Sequence, residues 1–140
     1  MILLDTSGLL AAIDGSQRQH KESAEALAVA SPPFLLSPFV LAELDYLLAT
    51  RVSQQAELAL LEEVALGAYQ LEGFDAADVA AARATIARYP DLGLGLADAS
   101  IIVLADRYDA HDVLTLDHRH FRTVRGLRRR PFRILPADRP

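Results

Sequence analysis

The chain has 140 residues, 51% of them hydrophobic, and a net charge of −5 at pH 7, which suits one ordinary domain over 1–140 with a core of its own. It contains no cysteine, so disulfides and thiolate metal sites are excluded. No apolar run approaches the ~20 residues of a membrane span, and Asp5 breaks the first apolar run before a signal-peptide core can form, so a cytoplasmic protein without a membrane partner is expected.

Residues 2–5, Ile-Leu-Leu-Asp, predict a short buried strand. Ser7 is a candidate cap for a short helix carrying Leu9, Leu10 and Ile13. A helix over 18–29 follows, then a strand at Phe34, Leu35 and Leu36 after Pro32-Pro33. Ser37-Pro38 combines the favoured N-cap residue with the favoured first helical residue, predicting a helix to about Thr50. Ser53 opens another helix, to about Leu66, which Gly67 ends. A third strand is expected over 68–72. The alanine-rich stretch 75–88 predicts a helix that Pro90 stops, and 91–95 a loop. A helix over 96–108, a strand over 113–116, a short helix from His118 and a last edge strand over 131–135 complete the order. Strands alternating with helices predict an α/β fold whose parallel sheet is covered on both faces.

Four acids stand in apolar surroundings. Asp5 and Asp117 each end an apolar strand, and in an open parallel sheet ligands bind beyond the carboxyl ends of the strands. Glu43 has Phe39, Val40 and Leu47 at helical spacing, and Asp98 has Ile101 and Ile102, so both are expected to be carried toward the core. A buried carboxylate must be protonated, paired or metal-bound. The one lysine is Lys21, and no arginine lies within four residues of Asp5, Glu43 or Asp98. A hard divalent cation, Mg²⁺ or Mn²⁺, would satisfy all four, with Asp5 and Asp98 as direct ligands and Glu43 and Asp117 completing the shell. Structural alternatives stand beside this. Asp5, Asp98 and Asp117 could each cap a helix, and Glu43 could pair with a distant arginine. Thr6 and Ser7 could support the site or only cap the next helix. Thr115, on the same strand face as Asp117, could support the site or only favour the strand.

Charge is unevenly spread, with 5 basic and 15 acidic residues up to position 106, against 9 arginines and 4 acids from 107 onward. Arg119, Arg122 and Arg125 are candidate phosphate contacts, and a solvated tail is the plainer reading. His118 and His120 read as surface histidines, and no histidine pair has zinc-site spacing. Gly93-Leu94-Gly95 lacks the third glycine of a dinucleotide loop, and no lysine follows a glycine loop as in the Walker pattern. A dehalogenase-like phosphatase would need an aspartate where Ser7 stands, and a receiver domain would need a lysine that is missing.

The blocks MILLDTSGLL (1–10), SPFVLAELDYLLATR (37–51), GLADASIIVLADRY (95–108) and VLTLDHRHFR (113–122) resemble PIN-domain proteins of the VapC toxin type, in order and spacing, over nearly the whole chain. The resemblance implies a three-layer α/β/α fold and Mg²⁺- or Mn²⁺-dependent cleavage of RNA, either transfer RNA or ribosomal RNA. It places Asp5, Glu43, Asp98 and Asp117 on the family's acidic positions. It also implies a toxin–antitoxin module, with a homodimeric toxin masked by a VapB-type antitoxin. The alternative is a PIN-like module that binds RNA or protein without cutting.

Overall fold

The computed structural model describes residues 1–125 and 130–139. Arg128 and Arg129 lie outside the described residues. Five short strands form one all-parallel sheet: β1 (Ile2–Leu4), β2 (Phe34–Leu36), β3 (Gln70–Leu71), β4 (Asp112–Leu114) and β5 (Arg133–Leu135), in the spatial order β3-β2-β1-β4-β5. Register is set by the pairs Leu3↔Leu35, Leu4↔Leu114, Leu36↔Leu71 and Leu114↔Leu135. Successive strand side chains point to opposite faces, so the complete burial of Ile2, Leu3 and Leu4 means that both faces of β1 are covered.

The covering helices are α1 (Thr6–Ile13), α2 (His20–Val29), α3 (Pro38–Arg51), α4 (Gln54–Ala65), α5 (Ala76–Arg88), α6 (Leu96–Tyr108) and α7 (His118–Thr123). Their starts follow local chemistry. Ser37 Oγ accepts from the Phe39 N–H and Ser53 Oγ from the Ala56 N–H. Asp75 and Asp78 exchange side-chain and backbone bonds in a capping box. Gly67 adopts φ 88°, the left-handed conformation that stops α4. The expected loop over 91–95 begins with a single 3-10 turn, Pro90–Leu92. Among the described residues, no helix is long and apolar enough to cross a membrane.

From β1 the chain first moves outward to β2 and β3, then returns to the other side of β1 as β4. The crevice at this reversal lies between the carboxyl ends of β1 and β4, where open α/β sheets bind ligands. Strand β4 ends at Leu114, two residues before the predicted end, because the Leu116 and Asp117 N–H groups donate to the Ser7 and Thr115 hydroxyls rather than to a neighbouring strand.

Candidate active site

Asp5 directly follows β1 and Asp117 stands three residues past the end of β4, so the sheet brings positions 112 residues apart to the same crevice. Helix α1 sits tight against the end of β4. A Cβ on Gly8 would lie 2.3 Å from the Leu114 carbonyl oxygen and 2.7 Å from the Thr115 nitrogen, so only glycine allows this approach. The approach lets Ser7 reach across: its Oγ donates to Asp5 Oδ2 at 3.1 Å and accepts from the Leu116 N–H at 3.0 Å. Thr115 does the same from β4, donating to Asp5 Oδ2 at 2.6 Å and accepting from the Asp117 N–H at 2.9 Å. Both hydroxyls therefore bond the Asp5 carboxylate.

Asp5 occupies the N-cap position of α1, yet its side chain caps nothing. It is 5% exposed. Burial, with the nearby Asp98 charge adding to it, pushes its carboxyl up to about 6, against the opposing pull of hydrogen bonds from Thr115, Ser7 and the Thr6 backbone.

Asp98 and Asp117 both act as helix caps while facing the crevice. Asp98, in the first turn of α6, accepts from the Gly95 N–H at 3.0 Å. Asp117 heads α7 and accepts from the His120 N–H at 3.3 Å. His120, read from sequence as a surface residue, has a side chain only 15% exposed and faces both carboxylates. Its Nδ1 lies 2.8 Å from Asp117 Oδ2 and 3.5 Å from Asp98 Oδ2. Contacts between segments distant in sequence bury it. Helix α7 is pinned to the 3-10 turn, where the Leu92 carbonyl meets His120 Nε2 at 2.8 Å and the Asp91 carbonyl accepts from Arg119 at 3.0 Å. One sequence signal pointed to His120: it stands three residues after an N-cap aspartate, hence on the same side of the helix.

Asp98, Asp117 and His120 offer ligand atoms that all lie within 4.8 Å of one another, and Asp5 and Glu43 stand outside that set. Glu43 also departs from its expected burial. The buried row of α3 is Val40, Leu44 and Leu48, and Glu43 lies on its flank, where it is exposed. It accepts a 2.7 Å bond from Thr6 Oγ1, and among the described residues no arginine pairs with it. Thr6, the residue beside Asp5, thus ties Glu43 to the start of α1. Among the candidate phosphate contacts, Arg119 and Arg125 are exposed, and Arg122 is engaged by Asp138.

The donors are hard carboxylate oxygens with one imidazole nitrogen, and His120 Nδ1 is buried without a hydrogen-bond partner. Concentrated negative charge with an orphaned nitrogen beside it is the donor chemistry that fits a divalent cation.

Comparison with known proteins gives the same picture. The model of the PIN domain matches residues 2–127. Ribonuclease VapC26 of Mycobacterium tuberculosis is 42% identical over 135 residues, spanning 96% of this chain and 100% of that protein. Among solved structures, Mycobacterium tuberculosis VapC20, a sarcin–ricin loop cleaving toxin, matches with a TM-score of 0.78 at 21% identity, covering 86% of this chain and 92% of the other. VapBC2 from Rickettsia felis, bound to a DNA fragment from its promoter, matches with a TM-score of 0.64 at 21% identity over 89% and 93%. The parallel sheet, the acids gathered at its switch point and the full-length relative agree: the chain belongs to the PIN-domain family and, within it, to the VapC type.

Proposed function

We propose that this protein is the ribonuclease toxin of a type II toxin–antitoxin pair, hydrolysing phosphodiester bonds of transfer RNA or ribosomal RNA with Mg²⁺ or Mn²⁺ as cofactor. The observation that carries this reading is the convergence of Asp98, Asp117 and His120 beside the buried Asp5. The ribonuclease name of the 42% identical relative supports the substrate class.

Asp98 and Asp117 would hold the cation, with Asp5 beside them. When bound, that ion supplies the positive charge that admits a phosphodiester to an acidic pocket, and it acidifies water. Asp5, whose carboxyl burial raises to about 6 in the metal-free protein, would give up its proton to a cation entering beside it. Ser7 and Thr115 fix its orientation through Oδ2. Thr6 holds Glu43 by a hydrogen bond, and Glu43 would complete the acidic set from the flank of α3. Arg119 and Arg125 are the candidates for flanking phosphates.

The VapBC2 complex among the structural neighbours supports a cognate VapB-type antitoxin. An antitoxin arginine entering the crevice would supply the charge otherwise brought by the cation. A homodimeric toxin acting in the cytoplasm completes the reading. Full nuclease activity in the purified toxin–antitoxin complex would contradict masking of the site.

The test is incubation of partner-free protein with total cellular RNA in Mg²⁺ or Mn²⁺, against EDTA, beside Asp98→Asn. Discrete fragments that need metal and vanish in the variant are expected. Folded protein that cuts nothing with either metal would favour a PIN-like module that binds without cleaving.

A further inference from the structure

His120 is oriented by a bond that leaves one choice of tautomer. A carbonyl oxygen only accepts, so the 2.8 Å contact between the Leu92 carbonyl and Nε2 places a hydrogen on Nε2. In the neutral ring, Nδ1 then carries a lone pair. That atom is buried and faces Asp117 Oδ2 at 2.8 Å and Asp98 Oδ2 at 3.5 Å. Neither oxygen forms a hydrogen bond with it. A lone pair beside carboxylate oxygens is repulsive until positive charge, a proton on the ring or a metal ion, stands among them. Metal-bound histidines commonly donate their other ring N–H to a backbone carbonyl, and Leu92 supplies that bond here.

We propose that His120 binds the divalent cation directly through Nδ1, making a site of two carboxylates and one imidazole with Asp98 and Asp117, and that this nitrogen biases the site toward Mn²⁺ over Mg²⁺. Imidazole suits transition metals, whereas Mg²⁺ takes oxygen ligands and gives up its waters reluctantly. The three donor atoms lie within 4.8 Å of one another, close enough to share one ion. The proposal rests on the metal-dependent reading above, and the experiment separates its failure from the failure of that reading.

The experiment is pulsed electron paramagnetic resonance of Mn²⁺ bound to the full-length, partner-free protein, with natural-abundance protein compared with protein carrying ¹⁵N-histidine. Couplings from a directly bound imidazole nitrogen are expected, and they convert to the ¹⁵N pattern on labelling. His120→Gln and His120→Asn, checked for folding by circular dichroism, lose the coupling and bind Mn²⁺ roughly tenfold more weakly. Their Mg²⁺ affinity changes less, so the preference for Mn²⁺ narrows. His118→Gln keeps the coupling. Bound Mn²⁺ without nitrogen coupling, or the same coupling in both His120 variants, overturns the nitrogen ligand and leaves the nuclease reading standing. Folded protein that binds no Mn²⁺ overturns both.

Discussion

At Asp5, burial and hydrogen bonding pull in opposite directions, and burial wins. Its carboxyl stands near 6 in the folded protein against 3.8 for a solvated aspartate, so the native state holds a proton that the unfolded chain has already released between those values. Stability from this group is therefore greatest below pH 4 and declines as pH rises to about 6, by on the order of 3 kcal/mol for the metal-free protein. Asp5→Asn keeps an acceptor for Ser7 and Thr115 but removes the titration. It is expected to abolish RNA cleavage and to raise the melting temperature of metal-free protein at pH 7.5, with little gain at pH 4. Calorimetry of the two proteins at both pH values checks this. A variant no more stable at pH 7.5 would mean that the Asp5 charge is better solvated than its burial implies. Asp5, Asp98 and Asp117 were legible from sequence, because a charge directly after an apolar strand or inside an apolar helix face is conspicuous. His120 was not, since its orientation depends on a carbonyl 28 residues away, at Leu92. Glu43 was placed too deep. Spacing of three and four identifies a helix face, but it does not separate the centre of that face from its flank.

Helix α1 shows how one missing side chain can set the position of an element. Gly8 lets the helix backbone rest against the Leu114 carbonyl, and that approach carries Ser7 to both Asp5 and the Leu116 N–H. Gly8→Ala forces α1 away from β4. The expected cost is about 3 kcal/mol of stability, and a loss of cleavage of roughly a hundredfold from displaced site residues. Gly15→Ala is the control, since a Cβ there meets nothing within 4 Å. Urea denaturation and cleavage rates of the two variants give the comparison. Equal behaviour would show that α1 can shift without disturbing the site. Helix limits were the most legible elements, because Ser37, Ser53 and Asp75 are caps whose action is local. Strand limits were less so. Past Leu114 the backbone donates to hydroxyls from another element, and no local pattern encodes such partners.

Over the whole molecule, the arginine-rich end is less available to RNA than its count suggests. Arg107 bridges Glu72 and Asp78, Arg122 pairs with Asp138, Arg133 with Asp112, and Arg139 with Glu25. These acids lie far from their partners in sequence, so composition alone could not reveal the pairing. Each arginine that contacts a phosphate steepens the salt dependence of RNA binding, and an arginine already held by an acid contributes less. Arg119→Gln and Arg125→Gln are therefore expected to weaken binding and flatten its salt dependence, whereas Arg133→Gln does neither. Fluorescence anisotropy with catalytically dead Asp98→Asn protein, over a salt series, measures both quantities. An equal effect of Arg133→Gln would mean that RNA displaces Asp112.

The bond from Thr115 to Asp5 closes a separation of 110 residues in the chain. Long-range closures of this kind form late in folding, after local helices. The consequence is a built-in safeguard of timing. Until β1 and β4 pair, the acids of the crevice are not gathered. Under the proposed function a chain whose β1 and β4 have not paired is expected not to cut RNA, and in stopped-flow refolding the recovery of cleavage should not precede the recovery of far-ultraviolet circular dichroism.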